Sequence, residues 1–432
     1  MSDVSFVRTE MLQEREPPLG QQGLIKWFRE NMFSSIPNTI LSIAAIWGIY
    51  FVLSQTLPWI FQSSWNASSL KECRANIIEA YGEGTTGACW AVINERFPQL
   101  IYGFYPQELR WRPNLTFIGM FLAIAPVLFD KLPRKMIWFT AVYPFLALWF
   151  LWGGSFWVPV SIIAGFVLGV VAFKIFSKML GSLTGMIAAA FVPVLWWILF
   201  AGSAADTFQS IIPLAIEAVP SSNFGGLMLS IIIGVTGIAF SLPIGIVLAL
   251  GRQSDLMIVK VLCVGFIEFI RGVPLITLLF VASTLLNYFM PPGTNFDIIL
   301  RVIIMVTLFA SAYMAEVIRG GLAALPTGQY EGANSLGLDF WQSTRLIIMP
   351  QALKISIPNI VSTFIGLFKD TTLVSIIGLL DPLGLSTNIR ADQNWNGIIW
   401  ELYGFVAVMF WIFCFSMSRY SMYLERKLQT GH

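Results

Sequence analysis

Charged residues and histidine are scarce in this sequence. Asp, Glu, Lys and Arg make up 12% of its 432 residues, whereas 56% of the residues are hydrophobic. Soluble proteins carry about 25% charged residues, so the composition predicts that lipid solvates most of the chain. The single histidine is His432, which gives no basis for histidine acid–base catalysis or for a histidine metal site.

Signals for binding nucleotides and nucleic acids are also lacking. The sequence contains no G-x-x-x-x-G-K-[ST] phosphate loop, so the chain does not bind ATP in the Walker manner and would draw any such energy from another protein. The formal net charge of +2 offers no attraction for nucleic acid. We therefore expect no metal, no cofactor, no nucleic-acid partner and no enzymatic step.

Four cysteines divide into two groups. Cys263 and Cys414 lie in apolar stretches, where a cysteine acts as a small buried hydrophobe. Cys73 and Cys89 lie in the one long polar loop, residues 62–113. They would pair if that loop faces an oxidising compartment, but their spacing alone leaves a disulfide open.

Long uncharged runs predict an all-α, polytopic integral membrane protein with about ten transmembrane helices, because a span needs about 20 apolar residues. Residues 136–173 carry no charge and are too long for one span, so Gly153, Gly154 and Ser155 divide them into two. The predicted spans are 36–61, 115–129, the two halves of 136–173, the run after Lys178 that ends at Ala205, 224–250, 275–290, 297–318, 357–380 and 398–420.

These spans fall into blocks. Residues 1–35 form a cytoplasmic N-terminal segment whose amphipathic part, from Leu24 to Phe33, lies flat on the membrane. Residues 36–205 form a five-span extension with the periplasmic loop 62–113, and residues 224–426 form a second block. Most lysines and arginines fall on one side if both termini are cytoplasmic, as the positive-inside rule requires.

A polar stretch interrupts the second block. Apolar sequence ends at Ile318, where the triplet 319–321 (Arg-Gly-Gly) interrupts it, and residues 329–345 are polar and helix-competent. Residues 330–337 (YEGANSLG) and 347–350 (IIMP) resemble the EAA loop of ABC importer permeases, which couples them to a soluble ATPase. An ordinary surface helix-turn-helix is the alternative.

The EAA-like residues have a physical rationale. Glu331, Ala333 and Gly337 place one anion among small residues, so that a helix can seat closely in a partner's groove. Gly337 lets the chain turn, and Pro350 starts the next helix without a backbone donor. Gly332 replaces the usual first alanine, which weakens the helix by roughly 1 kcal/mol, and Met349 replaces the usual leucine.

Four phrases in order carry a wider resemblance: residues 269–275, 313–321, the EAA-like loop within 329–350, and 367–376. The block 224–426 is similar to the type I transmembrane domain of polar amino-acid (histidine/glutamine-type) ABC importers. The five-span extension resembles the longer M-type permease subunit of general L-amino-acid importers. The resemblance implies a multi-pass bacterial inner-membrane permease that translocates L-amino acids. It also implies three partners: an ATP-binding cassette ATPase, a second homologous permease and a periplasmic amino-acid-binding protein.

Candidate pathway residues are ionisable or polar groups at membrane depth. Lys369 and Asp370 lie within an apolar stretch. A charged side chain at membrane depth costs free energy unless it is paired with an opposite charge or in contact with water. Lys369 would meet a substrate carboxylate and Asp370 an ammonium, with Thr372 at the same level. Alternatively, the two charges form a structural pair between helices or lie close enough to the interface to reach water.

Ser311, Tyr313 and Glu316 are further candidates for the pathway, because they follow one another along one span. The alternative for Glu316 is an ion pair with Arg319 three residues later. Arg271 is expected to anchor a helix at the interface. The rival function is an ion-coupled secondary transporter or channel, in which Lys369 and Asp370 would be the coupling groups.

Overall fold

Helices dominate the computed structural model, which describes residues 23–129, 131–285, 288 and 297–429. Local signals fix several helix starts, since Ser35, Ser69 and Asp297 each accept a hydrogen bond from a first-turn backbone N–H. Up to residue 211 the helices are α1 (Gly23–Asn31), α2 (Ile36–Phe61), α3 (Leu70–Tyr81), α4 (Ala91–Tyr102), α5 (Trp111–Leu128), α6 (Ile137–Trp152), α7 (Trp157–Leu180), α8 (Ser182–Leu199) and α9 (Ala201–Ile211). After it they are α10 (Gly226–Arg252), α11 (Met257–Gly272), α12 (Leu275–Phe280), α13 (Ile298–Ala323), α14 (Thr327–Ser335), α15 (Phe340–Ser343), α16 (Met349–Asp370), α17 (Pro382–Ala391) and α18 (Trp400–Gln429).

Short elements connect these helices. Strands β1 (Gly154–Ser155) and β2 (Ala215–Ile216) pair antiparallel. The π-helical turns Val281–Leu285 and Thr344–Ile348 follow α12 and α15, and the 3₁₀ segment Thr371–Ile377 follows α16. Shorter 3₁₀ turns cover Gln107–Leu109, Arg134–Met136 and Ser221–Asn223.

The helix lengths agree with a membrane protein. Within the described residues eight helices are long and apolar enough to cross a bilayer, or up to ten if each of two bent pairs is one span. The two pairs bend by 56° between α8 and α9 and by 101° between α11 and the helix after it. Gly153, at φ 70°, ends α6 where the sequence predicted a divider. The predicted all-α, multi-span fold is confirmed.

The chain forms two compact units, residues 1–91 and 92–432. In the first unit, α1 covers most of the predicted amphipathic segment. Residues 1–22 of this unit lie outside the described part of the chain. The Cys73 and Cys89 side chains are buried and joined in a disulfide, with Cα atoms 5.9 Å apart. The predicted division into blocks 36–205 and 224–426 differs from these units and stays a prediction.

A hydrophobic cluster in the second unit includes residues from both predicted blocks. Tyr105 and Leu151 pack in one cluster with Leu229, and the Tyr105 hydroxyl donates to the Leu151 carbonyl at 3.0 Å. Gly103, at φ 66°, lies so close to Gly225 that a Cβ on Gly103 would come within 2.5 Å of its backbone. The segment around Tyr105, helix α6 and the helices after residue 226 therefore share a core.

A second cluster lies where α10, α13 and α16 meet. Met314 and Ile318 of α13 are fully buried there, together with Ala249 of α10 and Ala352 of α16. Gly245 permits the close approach of α10, because a Cβ would come within 2.7 Å of the Met314 side chain. This packing fixes the end of the bundle that carries α14, which we call the loop end. The end that carries α17 is the far end.

Helix α13 continues beyond Ile318, where the apolar sequence and the predicted span end, to Ala323. Gly321 is buried against α16, and a Cβ there would lie 2.6 Å from the Ala352 carbonyl oxygen. The glycine therefore permits close packing of α13 and α16. Local helix propensity gives no indication of such packing.

Pro350 lies in the first turn of α16, as predicted, but no break in the helical segment precedes it. Helix α15, the π-helical turn and α16 form one helical segment, residues 340–377, that includes the 3₁₀ segment. The wider π-helical turn directly precedes Pro350, which cannot donate a backbone hydrogen bond. The helix thus runs on from the loop into the span.

The fifth predicted span also ends differently. It was expected to stop at Ala205, with Asp206 in an outer connection, but α9 continues to Ile211 beyond a 56° bend. Residues 286, 287, 289 and 290 of the predicted span 275–290 lie outside the described residues.

Candidate functional site

The EAA-like residues lie on α14 and the turn that follows it. Gly337 adopts φ 71°, and its N–H donates to the Asn334 carbonyl at 2.9 Å, which closes the helix and reverses the chain. Glu331 is exposed on the outer face of α14. A Cβ on Gly332 would meet no atom within 4 Å, so this face is open to a partner.

Other residues attach α14 to the bundle. Ala333 is 1% exposed, so it faces the protein interior and does not form part of the partner-facing surface that the motif predicted. The Gln351 Nε2 atom of α16 donates to Gln329 Oε1 of α14 at 2.9 Å. A displacement of α14 must therefore also displace α16.

An exposed apolar surface adjoins the turn, and sequence reasoning missed it. We call it the aromatic rim; its members are Leu336, Phe340, Trp341 and Leu346. Asp339 and Gln342 form a capping box that starts α15 and fixes the two aromatic residues at its first turn. Two adjacent aromatics inside a polar stretch were the available signal, because bulky apolar side chains there have no membrane to enter.

Glu316 belongs to an ionic cluster at the loop end and is not among the residues that line the cleft described below. Its carboxylate accepts hydrogen bonds from Arg252 and, at 2.8 Å, from Arg319 Nε, and it lies 3.8 Å from Arg271. Arg252 also reaches Glu268 at 3.2 Å. The ion-pair alternative stated for Glu316 thus agrees with the structure, and the cluster connects α10, α11 and α13.

Tyr313 and Ser311 are also separated from the cleft described next. Ser311 is fully buried, and its hydroxyl donates to the Thr307 carbonyl of the same helix at 2.6 Å. Tyr313 lies 5.6 Å beneath the Arg271 guanidinium, so it extends the ionic cluster.

Lys369 and Thr372 line a cleft of about 470 Å³ at the far end of the bundle. Lys369 is exposed to this space, and within the described residues no ion pair of its ammonium is found. The remaining walls are Leu383, Tyr403, Val406, Ala407 and Phe410. Asp370 ends α16 one residue later, half-buried and outside this lining. A cation in an otherwise apolar cleft attracts an anionic group such as a carboxylate.

Asp381 starts α17 beside the cleft. Its carboxylate accepts hydrogen bonds from the Gly384 N–H at 2.9 Å and the Leu383 N–H at 3.2 Å. Burial raises the pKa of Asp381 to about 6, and the two backbone donors oppose that rise. This carboxyl group therefore changes protonation near neutral pH.

Comparisons with known proteins identify the architecture. Residues 241–430 match the family described as "Binding-protein-dependent transport system inner membrane component". The chain is 59% identical, over its full length and that of the relative, to the glutamate/glutamine/aspartate/asparagine transport system permease protein BztC of Rhodobacter capsulatus. The chain belongs to the amino-acid ABC transporter permease family. The permease is also 41% identical to the inner membrane amino-acid ABC transporter permease protein YhdY of Escherichia coli, over 94% of this chain and 93% of that one.

A solved amino-acid ABC transporter, crystallised with histidines, is 28% identical over 47% of this chain and 92% of its own, with a TM-score of 0.43.

Membership of the family decides between the two functions that the sequence left open. The chain is a multi-pass inner-membrane transport subunit of an ABC importer, and the ion-coupled carrier is set aside. An ABC importer of this kind works with an ATPase and a substrate-binding protein.

Proposed function

We propose that this permease imports glutamate, glutamine, aspartate and asparagine, and that its loop end receives the motion of a separate ATPase, which hydrolyses the ATP. Two observations support the substrate class. The relative whose name lists these four amino acids is 59% identical to this chain over its whole length. Lys369 places an ammonium in the cleft, where an α-carboxylate of any of the four would meet it.

The observation that carries the coupling proposal is the single helical segment of residues 340–377. Its first turn bears part of the aromatic rim, and Lys369 lies near its other end. At about 1.5 Å per residue such a segment reaches across a bilayer. When the ATPase pair closes on Glu331 and the rim, the Gln329–Gln351 contact passes the displacement to α16. The cleft then changes its access from one side to the other.

Charge supports placing the loop end in the cytoplasm, with both termini on that side. The helices and turns at this end carry five basic residues, Arg252, Lys260, Arg319, Arg345 and Lys354. At the far end, residues 221–225 and 378–399 contain one basic residue, Arg390. Cytoplasmic connections are enriched in lysine and arginine, so ATP and the ATPase meet α14 directly.

A second, homologous permease completes the translocation path in this proposal. The cleft is open to the surface of the second unit, since Lys369 is exposed. A charge at membrane depth needs a polar or aqueous surrounding. Facing clefts of two permeases would enclose Lys369 in a shared path, and the binding protein would deliver the substrate at the far end.

The test is uptake of radiolabelled glutamate by vesicles that contain the complete complex, with Lys369→Met compared with Lys369→Arg. We expect uptake that requires ATP and the binding protein and is inhibited by unlabelled glutamine, aspartate and asparagine, whereas leucine has no effect. Lys369→Met should raise the apparent KM about tenfold, because a charge-assisted contact of about 1.5 kcal/mol is lost. Inhibition by leucine as strong as by glutamine, or an unchanged KM in Lys369→Met, would refute the substrate assignment.

A further inference from the structure

Helix α4 belongs to the N-terminal extension, yet it contacts the connection between α17 and α18. Arg96 Nη2 pairs with Asp392 Oδ2 at 2.7 Å. Next to it, the indole Nε1 of Trp395 donates to Glu95 Oε2 at 3.0 Å. Trp395 is fully buried, so Glu95 satisfies a donor that has lost access to water.

The connection held in this way joins two walls of the cleft. Leu383 comes from α17 before it, and Tyr403 comes from α18 after it. Arg390 Nη1, just ahead of Asp392, donates to the Tyr403 hydroxyl at 2.8 Å. The walls are therefore separated by a short connection whose position depends on α4.

Apolar contacts reach the same walls. Phe97 of α4 packs edge-on against Phe405 of α18, with ring centroids 6.2 Å apart. Ile101 packs against the cluster that contains Val406 and Phe410, both of which line the cleft. One short helix of the extension thus contacts the connection, the start of α18 and the cluster behind the cleft.

We propose that α4 acts as a brace for the substrate cleft and that Glu95 and Arg96 are positioning residues for substrate binding. This inference rests on the proposed function of the cleft. Glu95 holds Trp395, which sets where α18 begins and hence where Tyr403 faces Lys369. The extension therefore determines substrate affinity, whereas the loop end, on the opposite side of the bundle, determines the rate of ATP-driven turnover.

The experiment compares Glu95→Ala with Glu95→Gln in the complete complex in vesicles, measuring the apparent KM and the maximal rate of glutamate uptake. Glutamine keeps a side-chain oxygen that accepts from Trp395, and alanine does not. Arg74→Ala is the matched control, because Arg74 is exposed on α3 and no partner of its side chain is found within the described residues. Asp392→Asn is a second, milder variant that removes only the charge facing Arg96.

We expect Glu95→Ala to raise the apparent KM about fivefold, the effect of losing one partly buried hydrogen bond to the Trp395 indole, with the maximal rate within twofold of wild type. Glu95→Gln and Arg74→Ala should match wild type, and Asp392→Asn should raise KM about twofold. Three results would each overturn the proposed role of α4. They are the same KM in Glu95→Ala and Glu95→Gln, a KM in Glu95→Ala equal to that of Arg74→Ala, and a lower maximal rate of Glu95→Ala at an unchanged KM. If Glu95→Ala does not assemble, an unchanged KM in Asp392→Asn overturns it. Failure of the proposed function differs from all of these, since wild type itself would then show no ATP-dependent glutamate uptake.

Discussion

Gly332 and Gly337 lie in one loop but differ in what a side chain would do there. Gly332 is inside α14, and a Cβ would meet open space. Gly332→Ala should stabilise α14 by about 1 kcal/mol and slow amide exchange there about fivefold. Gly337 has φ 71°, where alanine costs about 1–2 kcal/mol, so Gly337→Ala should speed exchange in the same helix.

Hydrogen exchange of residues 327–335, followed by mass spectrometry, checks both glycine variants in one measurement. Uptake should be retained in Gly332→Ala, because alanine restores the residue that the EAA pattern has at this position. Exchange that changes in the same direction in both variants would show that the turn at Gly337 does not define the end of α14.

Asp381 makes stability depend on pH in an unusual direction for a carboxylate. Its native pKa is raised to about 6 from 3.8, mainly because it is buried, so the native state binds the proton more tightly than the unfolded state. The contribution of Asp381 to the unfolding free energy is therefore fully present below pH 3.8 and is lost as pH rises to 6. The loss is at most about 3 kcal/mol.

Asp381→Asn, which keeps an oxygen to cap α17 and cannot ionise, isolates this contribution. Thermal unfolding of detergent-purified protein between pH 4.5 and 7.5 should show that the variant gains stability relative to wild type as pH rises. A difference between the two proteins that stays constant over this range would contradict the raised pKa of Asp381.

At the scale of elements, Glu316 holds three helices together at the loop end. Its side chain is 17% exposed and contacts three arginines, whereas Glu268 is 53% exposed and contacts one. Removing a mostly buried partner leaves cations unpaired, so Glu316→Gln should cost about 3 kcal/mol of unfolding free energy. Glu268→Gln should cost less than about 1 kcal/mol. Thermal unfolding of the two variants checks this order, and equal losses would contradict the central place of Glu316.

The aromatic rim should bind the ATPase without stabilising the permease. Trp341 is 68% exposed, so its replacement removes little packing within the chain. Trp341→Ala should weaken binding of the ATPase about thirtyfold and lower the amount that co-purifies, as expected for an interface tryptophan worth about 2 kcal/mol. Trp400→Ala is the matched control, because Trp400 is equally exposed at the far end. Loss of ATPase in both variants, or in neither, would remove the rim from the interface.

For the molecule as a whole, the sequence was sufficient for features that depend on local pattern. Uncharged runs predicted the spans, the glycines at 153 and 154 predicted a divider, and the EAA-like spacing located α14. Each of these depends on the hydropathy or backbone freedom of neighbouring residues.

Features that depend on long-range packing were not predictable. Gly321 reads locally as a helix breaker, but α16 approaches it and makes glycine necessary. Nothing near Gly103 in the sequence indicates its contact with Gly225, more than 100 residues later in the chain. The sequence offered Arg319 as a partner of Glu316, but Arg252 and Arg271 come from two other helices, so only the fold brings them to the same carboxylate.

The central claim is that α14 transmits the motion of the ATPase to the cleft. Its most direct test is to measure glutamate uptake and ATP hydrolysis together in vesicles that contain the complete complex with Glu331→Arg. We expect uptake to fall at least tenfold while the permease stays folded, because an exposed anion at the proposed contact is reversed. Lys354→Glu, an equal change of charge on α16, should retain uptake. Wild-type uptake per ATP hydrolysed in Glu331→Arg would contradict the account.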